Sequence, residues 1–417
     1  MDRQRVRDPE LGHPTTQSPI LRPVNQGSNI AVMTIDWSAS TPFFNDDHRA
    51  YADVVQQFTT NEIVPYVDDW ERAGMVDRDL YNKAAQIGLF GDGFEAEYGG
   101  HGQRDALMRL VIMDEVSQAG AGGVSASMLS NYIGLPPIQR FGSDELKARV
   151  IAPCQAGEAV AALAITEPSG GSDVARIRTT AKRDGDHYIV NGSKTFITSG
   201  MRADYYTVAV RTGGEGPAGI SLLLIEGDRE GFDRTPLEKM GWLSSDTATL
   251  YFDDVRVPVS NLIGEEGTGF SAIVNNFNAE RMDMAVQSFS FSRVCYNEAL
   301  EWARERETFG KKLGEHQVIR HKLVEMDRHI NAGEAWTQLL AWRLNQGDDP
   351  VAEIAECKVA ATTTFEFCAR EAAQILGGAS YLRGSVVERL YREVRVQAIG
   401  GGSEEIMRDL ASRQLGI

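Results

Sequence analysis

The strongest constraint on the fold lies in the C-terminal third, where helix-compatible sequence runs on for longer than one globular helix needs. Ser271 to Arg306 holds neither Gly nor Pro, and Glu315 to Asn345 and Val351 to Leu376 are stretches of similar length. Helices of this length bury their apolar stripes most simply against one another, so the pattern predicts an antiparallel four-helix bundle.

Upstream the hydrophobic period changes twice. From Asp46 to about Ile151, Val54, Val55, Phe58, Ile63 and Val64 recur at helical spacing. Leu107, Leu110, Val111 and Val116 repeat the pattern beyond the glycine-rich break Tyr98-Gly99-Gly100-His101-Gly102. Tyr205 to Arg211, Gly219 to Ile225 and Thr247 to Val257 are instead short and rich in Val, Ile, Leu, Thr and Tyr. Clusters such as Gly213-Gly214-Glu215-Gly216-Pro217 bound them, as expected for strands of a small antiparallel barrel or sandwich. The expected class is therefore α+β: a helical N-terminal domain (41–156), a middle antiparallel β-barrel domain (157–264) and a C-terminal helical bundle (265–417). Residues 1–40 are polar, Pro-containing and aperiodic through residue 36; they are expected to be a disordered extension, with Met33 a candidate start.

Charge narrows the partners. Lys and Arg number 42 against 59 Asp and Glu, a formal balance of −17 that argues against nucleic acid or an anionic membrane surface. No apolar stretch reaches bilayer-spanning length. Cys154, Cys295, Cys357 and Cys368 show no CxxC spacing, which suggests neither a metal site nor a disulfide framework and fits a reducing cytoplasm.

Two stretches invite chemistry. In the first, the apolar run Ala159 to Ile165 stops at Thr166-Glu167-Pro168 and opens into Ser169-Gly170-Gly171-Ser172-Asp173, where small residues leave backbone N–H groups free to face a ligand or to make a tight turn. Asp184-Gly185 and Asn191-Gly192 read as two hairpin turns flanking the strand-like Asp186 to Val190. In the second, Phe277, Met284 and Phe291 repeat every seven residues, and Glu280 stands three after the first and four before the second. That spacing puts its carboxylate on the apolar face, where burial raises a carboxyl pKa toward the range useful to a base. A structural acid paired with a neighbouring Arg satisfies the same spacing.

The spelling of these stretches carries more than their pattern. Thr166-Glu167-Pro168-Ser169-Gly170-Gly171-Ser172-Asp173 with Asn191-Gly192-Ser193-Lys194-Thr195-Phe196-Ile197-Thr198-Ser199-Gly200 resembles the flavin-contacting segments of the acyl-CoA dehydrogenase family. The likeness extends over residues of about 45 to 417. It implies bound FAD, with Thr166, Ser172, Phe196 and Thr198 at the cofactor; Phe196 stands where many members have Trp and can stack without donating a hydrogen bond. Arg306, Phe309 and Gln317, then Gln374, Gly377 and Gly378, resemble segments that reach a neighbouring subunit's FAD, which implies a homo-oligomer, usually a tetramer. Read locally, Arg306 belongs to a solvated charge run and Gly377 to a helix C-cap. Ser403 and Glu405 are placed at the cofactor too, although as the start of a helix they have a simpler reading as cap and dipole partner.

Most members carry the catalytic Glu near the C-terminus, where this chain has Gly401. A subset that includes isovaleryl-CoA and long-chain enzymes has it on the bundle helix, at the position of Glu280. The resemblance thus implies Glu280 as base, the Gly401 amide as a donor to the thioester carbonyl, and Ser172 and Arg281 near the CoA moiety. It implies α,β-desaturation of an acyl-CoA, with electrons passed to an electron-transfer flavoprotein. Other readings on the same fold are a flavin oxidase or monooxygenase, or a dehydrogenase of carrier-tethered acyl groups. A non-catalytic structural or binding homologue, suggested by the missing C-terminal Glu, is the reading of a different class.

Overall fold

Asn45 starts the first helix with a reciprocal cap, accepting from the His48 N–H at 3.0 Å while its own N–H donates to His48 Nδ1 at 3.1 Å. The computed structural model describes residues 42–102 and 104–417, so the extension expected over 1–40 lies outside the described residues. Among the described residues eight α-helices precede the sheet: α1 (Asp46–Phe58), α2 (Val67–Ala73), α3 (Asp79–Gln86), α4 (Ala106–Ser117), α5 (Gly122–Met128), α6 (Asn131–Gly134), α7 (Pro136–Phe141) and α8 (Asp144–Gln155). Asp105 caps α4 by accepting from Leu107 N and Met108 N, and its second oxygen meets His48 Nε2 at 3.0 Å, so a single carboxylate ties α1 to α4. Val55, Phe58 and Ile63 are buried as the helical spacing requires, whereas Val54 and Val64 are exposed.

The strands are β1 (Ala161–Ala164), β2 (Thr180–Asp184), β3 (His187–Ile197), β4 (Tyr205–Arg211), β5 (Ile220–Glu226), β6 (Phe232–Pro236), β7 (Ala248–Pro258) and β8 (Leu262–Ile263). They lie in the order β6-β7-β3-β2-β4-β5-β8, with β1 pairing β4 in parallel. The antiparallel barrel expected from sequence is thus corrected to an open, mixed sheet. Its ends are β6 and the two-residue β8, and one edge of β4 is shared between β1 along Tyr205 to Val208 and β2 at Arg211 alone, both parallel. A strand's apolar alternation is the same for either neighbour direction and for open or closed sheets, which is why the sequence could not distinguish them.

Asn191-Gly192 also departs from expectation. Only Asp184-Gly185 turns a hairpin; Asn191 and Gly192 run on inside β3, where the register against β7 slips between Val190 and Gly192. Gly192 has φ +143°, and a Cβ there would meet Thr179 Cα at 2.7 Å, so close backbone approach explains this glycine rather than a turn.

After the sheet come α9 (Gly269–Glu305), a short hairpin of β9 (Glu307–Thr308) and β10 (Lys311–Lys312), then α10 (Gln317–Asn345), α11 (Val351–Leu376), α12 (Val386–Gln397) and α13 (Glu404–Leu415). α11 packs on α9, α10, α12 and α13, making it the centre of the bundle. Gly333 sits within α10 where a Cβ would come 2.0 Å from the Phe289 ring, so the helix gives up propensity to let α9 approach. One apolar cluster runs without interruption from Phe44 through the strands to Ala361.

Candidate active site

The loop between β1 and β2 is held from beneath by one acid. Glu167 accepts from the N–H groups of Arg178 at 2.7 Å and Thr179 at 2.9 Å, and from Lys194 Nζ at 2.8 Å. Lys194 also donates to Ile165 O at 3.0 Å, and Thr195 N to Thr166 O at 2.8 Å, so both loop ends are fixed to β3. The side chains of Lys194 and Glu167 are 0% and 4% exposed. Burial pushes the Lys194 ammonium down to about 8, opposed by Glu167. Burial alone would raise Glu167, but Lys194 and the N–H donors outweigh it and hold the carboxyl below its usual range. Above this support Ser169 to Asp173, including Ser172, are exposed, while Thr166 and Thr198 are half-buried. Beside the loop a cleft of about 780 Å³ is lined by Ser169, Asp173, Arg176, Arg178 and Arg211 among others.

Phe196 is set by a second irregularity of β3. Lys194 pairs with Leu250 and Ile197 with Ala248, so two residues on β3 oppose one on β7. The bulge puts Phe196 at φ +59°, and the ring is 69% exposed. A large aromatic held in a disfavoured conformation and denied burial presents a flat apolar face to a partner outside this fold, which a flavin ring system would supply.

The second part of the site assembles from three distant segments. Glu280 lies on α9, and its Oε2 is buried without a hydrogen-bond partner among the described residues. Burial pushes its carboxyl up to about 7, with Asp283 adding to the rise and Arg281 and Lys358 opposing it. Facing it is the turn between α12 and α13, where Gly401 and Gly402 have φ +62° and +105°. A Cβ on Gly401 would lie 2.7 Å from Met284 Sδ and 4.0 Å from Glu280 Oε1, so a side chain at 401 would enter the space Glu280 occupies. Arg281 Nε donates to Gly401 O at 3.2 Å, and Lys358 Nζ donates to Gly400 O at 2.8 Å and Gly402 O at 2.5 Å. Among the described residues the Gly401 N–H donates to no protein acceptor.

The structure thus brings Glu280, Arg281 and Gly401 together. Ser403 instead caps α13, accepting from Ile406 N at 3.5 Å, and Glu405 is an exposed acid of the first turn. Arg306, Phe309 and Gln317 follow α9 at its far end, all exposed, with Phe309 98% exposed at φ +51°. Gln374, Gly377 and Gly378 are exposed at the end of α11, where Gly377 has φ +59°. Lys358 escaped the sequence reading, although a lone Lys in Ile354-Ala355-Glu356-Cys357-Lys358-Val359-Ala360-Ala361 was visible as a cation inside an apolar stripe. It is fully buried, and burial lowers its ammonium to about 8. The Glu167–Lys194 pair was spelled out in the motif without its supporting role being evident.

These residues fit FAD by three features: an exposed aromatic face, a glycine-rich loop over a polar cleft, and an unpartnered carboxylate opposite a free amide. The comparisons agree. Family models match the chain as acyl-CoA dehydrogenase N-terminal domain at residues 45–158, middle domain at 162–255 and C-terminal domain at 267–416. The mitochondrial long-chain specific acyl-CoA dehydrogenase of Rattus norvegicus is 35% identical, covering 89% of this chain and 87% of the relative. A probable acyl-CoA dehydrogenase structure from Mycobacterium abscessus is 44% identical with a TM-score of 0.88, covering 90% of this chain and 100% of that one. A chain from a structure described as the electron transferring flavoprotein of Acidaminococcus fermentans is 32% identical with a TM-score of 0.85, covering 89% of this chain and 98% of that one. With its sheet set between two helical regions and the three family models spanning them, this chain belongs to the acyl-CoA dehydrogenase family.

Proposed function

We propose that in this FAD-dependent acyl-CoA dehydrogenase Glu280 is the base that removes the α-proton of an acyl-CoA thioester. The observation that carries the reading is the buried Glu280 Oε2 with no partner among the described residues, on a carboxyl whose affinity for protons is raised to about 7. A structural acid would have spent that oxygen on a neighbouring donor, and Arg281 lies beside it but donates to Gly401 and Asn278 instead. Arg281 and Lys358 hold the glycine turn so that the Gly401 N–H meets the thioester carbonyl as its oxygen gains charge. Bound FAD supplies the acceptor for the β-hydrogen, which leaves the substrate as hydride. Thr166, Phe196 and Thr198 hold the flavin, and Ser172 and Arg281 lie toward the CoA arm.

Arg306, Phe309 and Gln317 serve a neighbouring subunit. Glu280 and the end of α9 at Glu305 are 25 residues apart, roughly 38 Å at helical rise, too far for these side chains to reach their own site. Phe309 and Tyr381, 98% and 91% exposed, supply the aromatic contact surface expected of an assembly, proposed here as a homotetramer. Electrons pass on to an electron-transfer flavoprotein, a reading supported by the likeness to the Acidaminococcus fermentans chain. No helix among the described residues is long and apolar enough to cross a membrane. The four buried thiols, Cys154, Cys295, Cys357 and Cys368, support a reducing, cytoplasmic setting. The test is anaerobic bleaching of the bound flavin by a panel of acyl-CoA esters, repeated with Glu280→Gln. Full-rate bleaching by the variant overturns the assignment of the base.

A further inference from the structure

The glycine turn opposite Glu280 rests on a buried cation. Lys358 of α11 is fully buried, and its Nζ donates to Gly400 O at 2.8 Å and to Gly402 O at 2.5 Å. Among the described residues no carboxylate forms an ion pair with it. Burial opposes its charge, and Glu404, the acid that most favours it, spends its own oxygens on Thr362 and Arg408. A neutral donor would bind two carbonyls without the desolvation cost of an ammonium, so holding the turn does not by itself account for the charge.

Gly400 O belongs to the same peptide unit as the Gly401 N–H. That peptide is trans, so its N–H points away from the carbonyl and from Lys358. A cation on the oxygen of an amide draws electron density from its nitrogen and makes the N–H a stronger donor, because linked hydrogen bonds polarise one another. Arg281 Nε meets the next carbonyl, Gly401 O, at 3.2 Å, and so loads a different amide, that of Gly402. Of the two cations that clamp the turn, Lys358 is the one bonded to the amide assigned above to the thioester.

Resting on the dehydrogenase reading above, we infer that Lys358 is a positioning residue that polarises the Gly400–Gly401 peptide and strengthens the hydrogen bond from the Gly401 N–H to the thioester oxygen as the α-proton passes to Glu280. Its effect grows with the charge on that oxygen, so it acts on the transition state more than on the bound ester. Loss of Lys358 therefore falls on kcat and leaves KM nearly unchanged.

The test uses the FAD-loaded enzyme with Lys358→Met, which removes charge and donor, and Lys358→Gln, which keeps an amide donor without the charge. Anaerobic flavin reduction is followed with the acyl-CoA ester that bleaches the wild type fastest. The enoyl-CoA product of that ester, isotope-labelled at the thioester carbonyl, reports the hydrogen bond through its infrared stretch when bound to the oxidised enzyme. The wild type should lower that stretch relative to the free ester, and Lys358→Met should abolish at least half of the shift. The same variant should lower kcat by about tenfold to a hundredfold, less than deletion of an oxyanion donor outright, with KM changed by less than about threefold. Lys358→Gln should move both readings the same way, by about threefold to tenfold in kcat, and decides alone if Lys358→Met fails to fold. A carbonyl stretch unchanged in the variants, or a rise in KM that accounts for the whole loss of kcat/KM, overturns the inference and leaves Lys358 a structural clamp. If no acyl-CoA ester bleaches the wild type, the dehydrogenase reading falls and the inference with it.

Discussion

The two halves of the site are built on opposite principles. Under the loop on the sheet side, Glu167 and Lys194 are buried and spend their charges on each other and on backbone groups. On the bundle side, Glu280 is half-buried but its Oε2 is buried and unspent, and the Gly401 amide opposite is equally idle among the described residues. Both places pay the desolvation cost of a buried charge, but only the first recovers it within the fold. A satisfied network positions; an unsatisfied one waits for substrate.

That contrast breaks most visibly at Glu280. Glu280→Gln should retain bound FAD and lose roughly two to four orders of magnitude in the rate of flavin reduction, measured by stopped flow with the best ester. The matching change in the satisfied half acts on folding instead. Lys194→Met leaves Glu167 buried without its cation and should cost about 3–5 kcal/mol of stability in denaturant titration. If Lys194→Met folds as well as the wild type, the sheet-side pair is not the support inferred above.

Glu280→Gln should also stabilise the protein where Lys194→Met destabilises it. Because the folded carboxyl binds its proton up to about 7, the native state holds more protons than the unfolded chain between the ordinary carboxylate range and that value. Stability from this group is therefore lost as pH rises through that window, and the Gln variant, which cannot ionise, should be more stable at pH 8 by about 1–3 kcal/mol. The same titration makes the wild-type rate of flavin reduction climb through about pH 7 as Glu280 loses its proton, then level off. A rate that falls over that range would assign the base elsewhere. The smallest effect belongs to Phe196, whose replacement by Ala removes only a stacking face. FAD should bind about threefold to tenfold more weakly, by fluorescence of released flavin, with stability unchanged.

Much of the fold was legible because its signals are local. α11 runs from Val351 to Leu376, the limits expected from sequence, since no breaker interrupts it and Gly377 stops it with a left-handed φ. Tyr205 to Arg211 forms β4 as expected, since both its faces are covered and it reads as one apolar run. Asn191-Gly192 misled because the pair that favours a primed turn also suits a bulge, and the choice rests on whether β7 and Thr179 lie alongside. Glu280 was singled out by its spacing within one helix, and the raised proton affinity expected of it is present.

Sequence by itself determined the helix, sheet, helix order, the small-residue loop after Thr166-Glu167-Pro168, the acid on the apolar face of α9 and the family likeness. All of these are written in contiguous residues, where spacing alone dictates which side chains share a surface. Tertiary structure alone decided that the sheet stays open, that Gly401 opens the space into which Glu280 points, and that Lys358 and Arg281 clamp the turn facing it. Positions 280, 358 and 401 lie on different elements, and no period along the chain records which distant groups will share a solvent-free space. There the cost of an unpaired charge, rather than any local preference, fixes what each side chain can do.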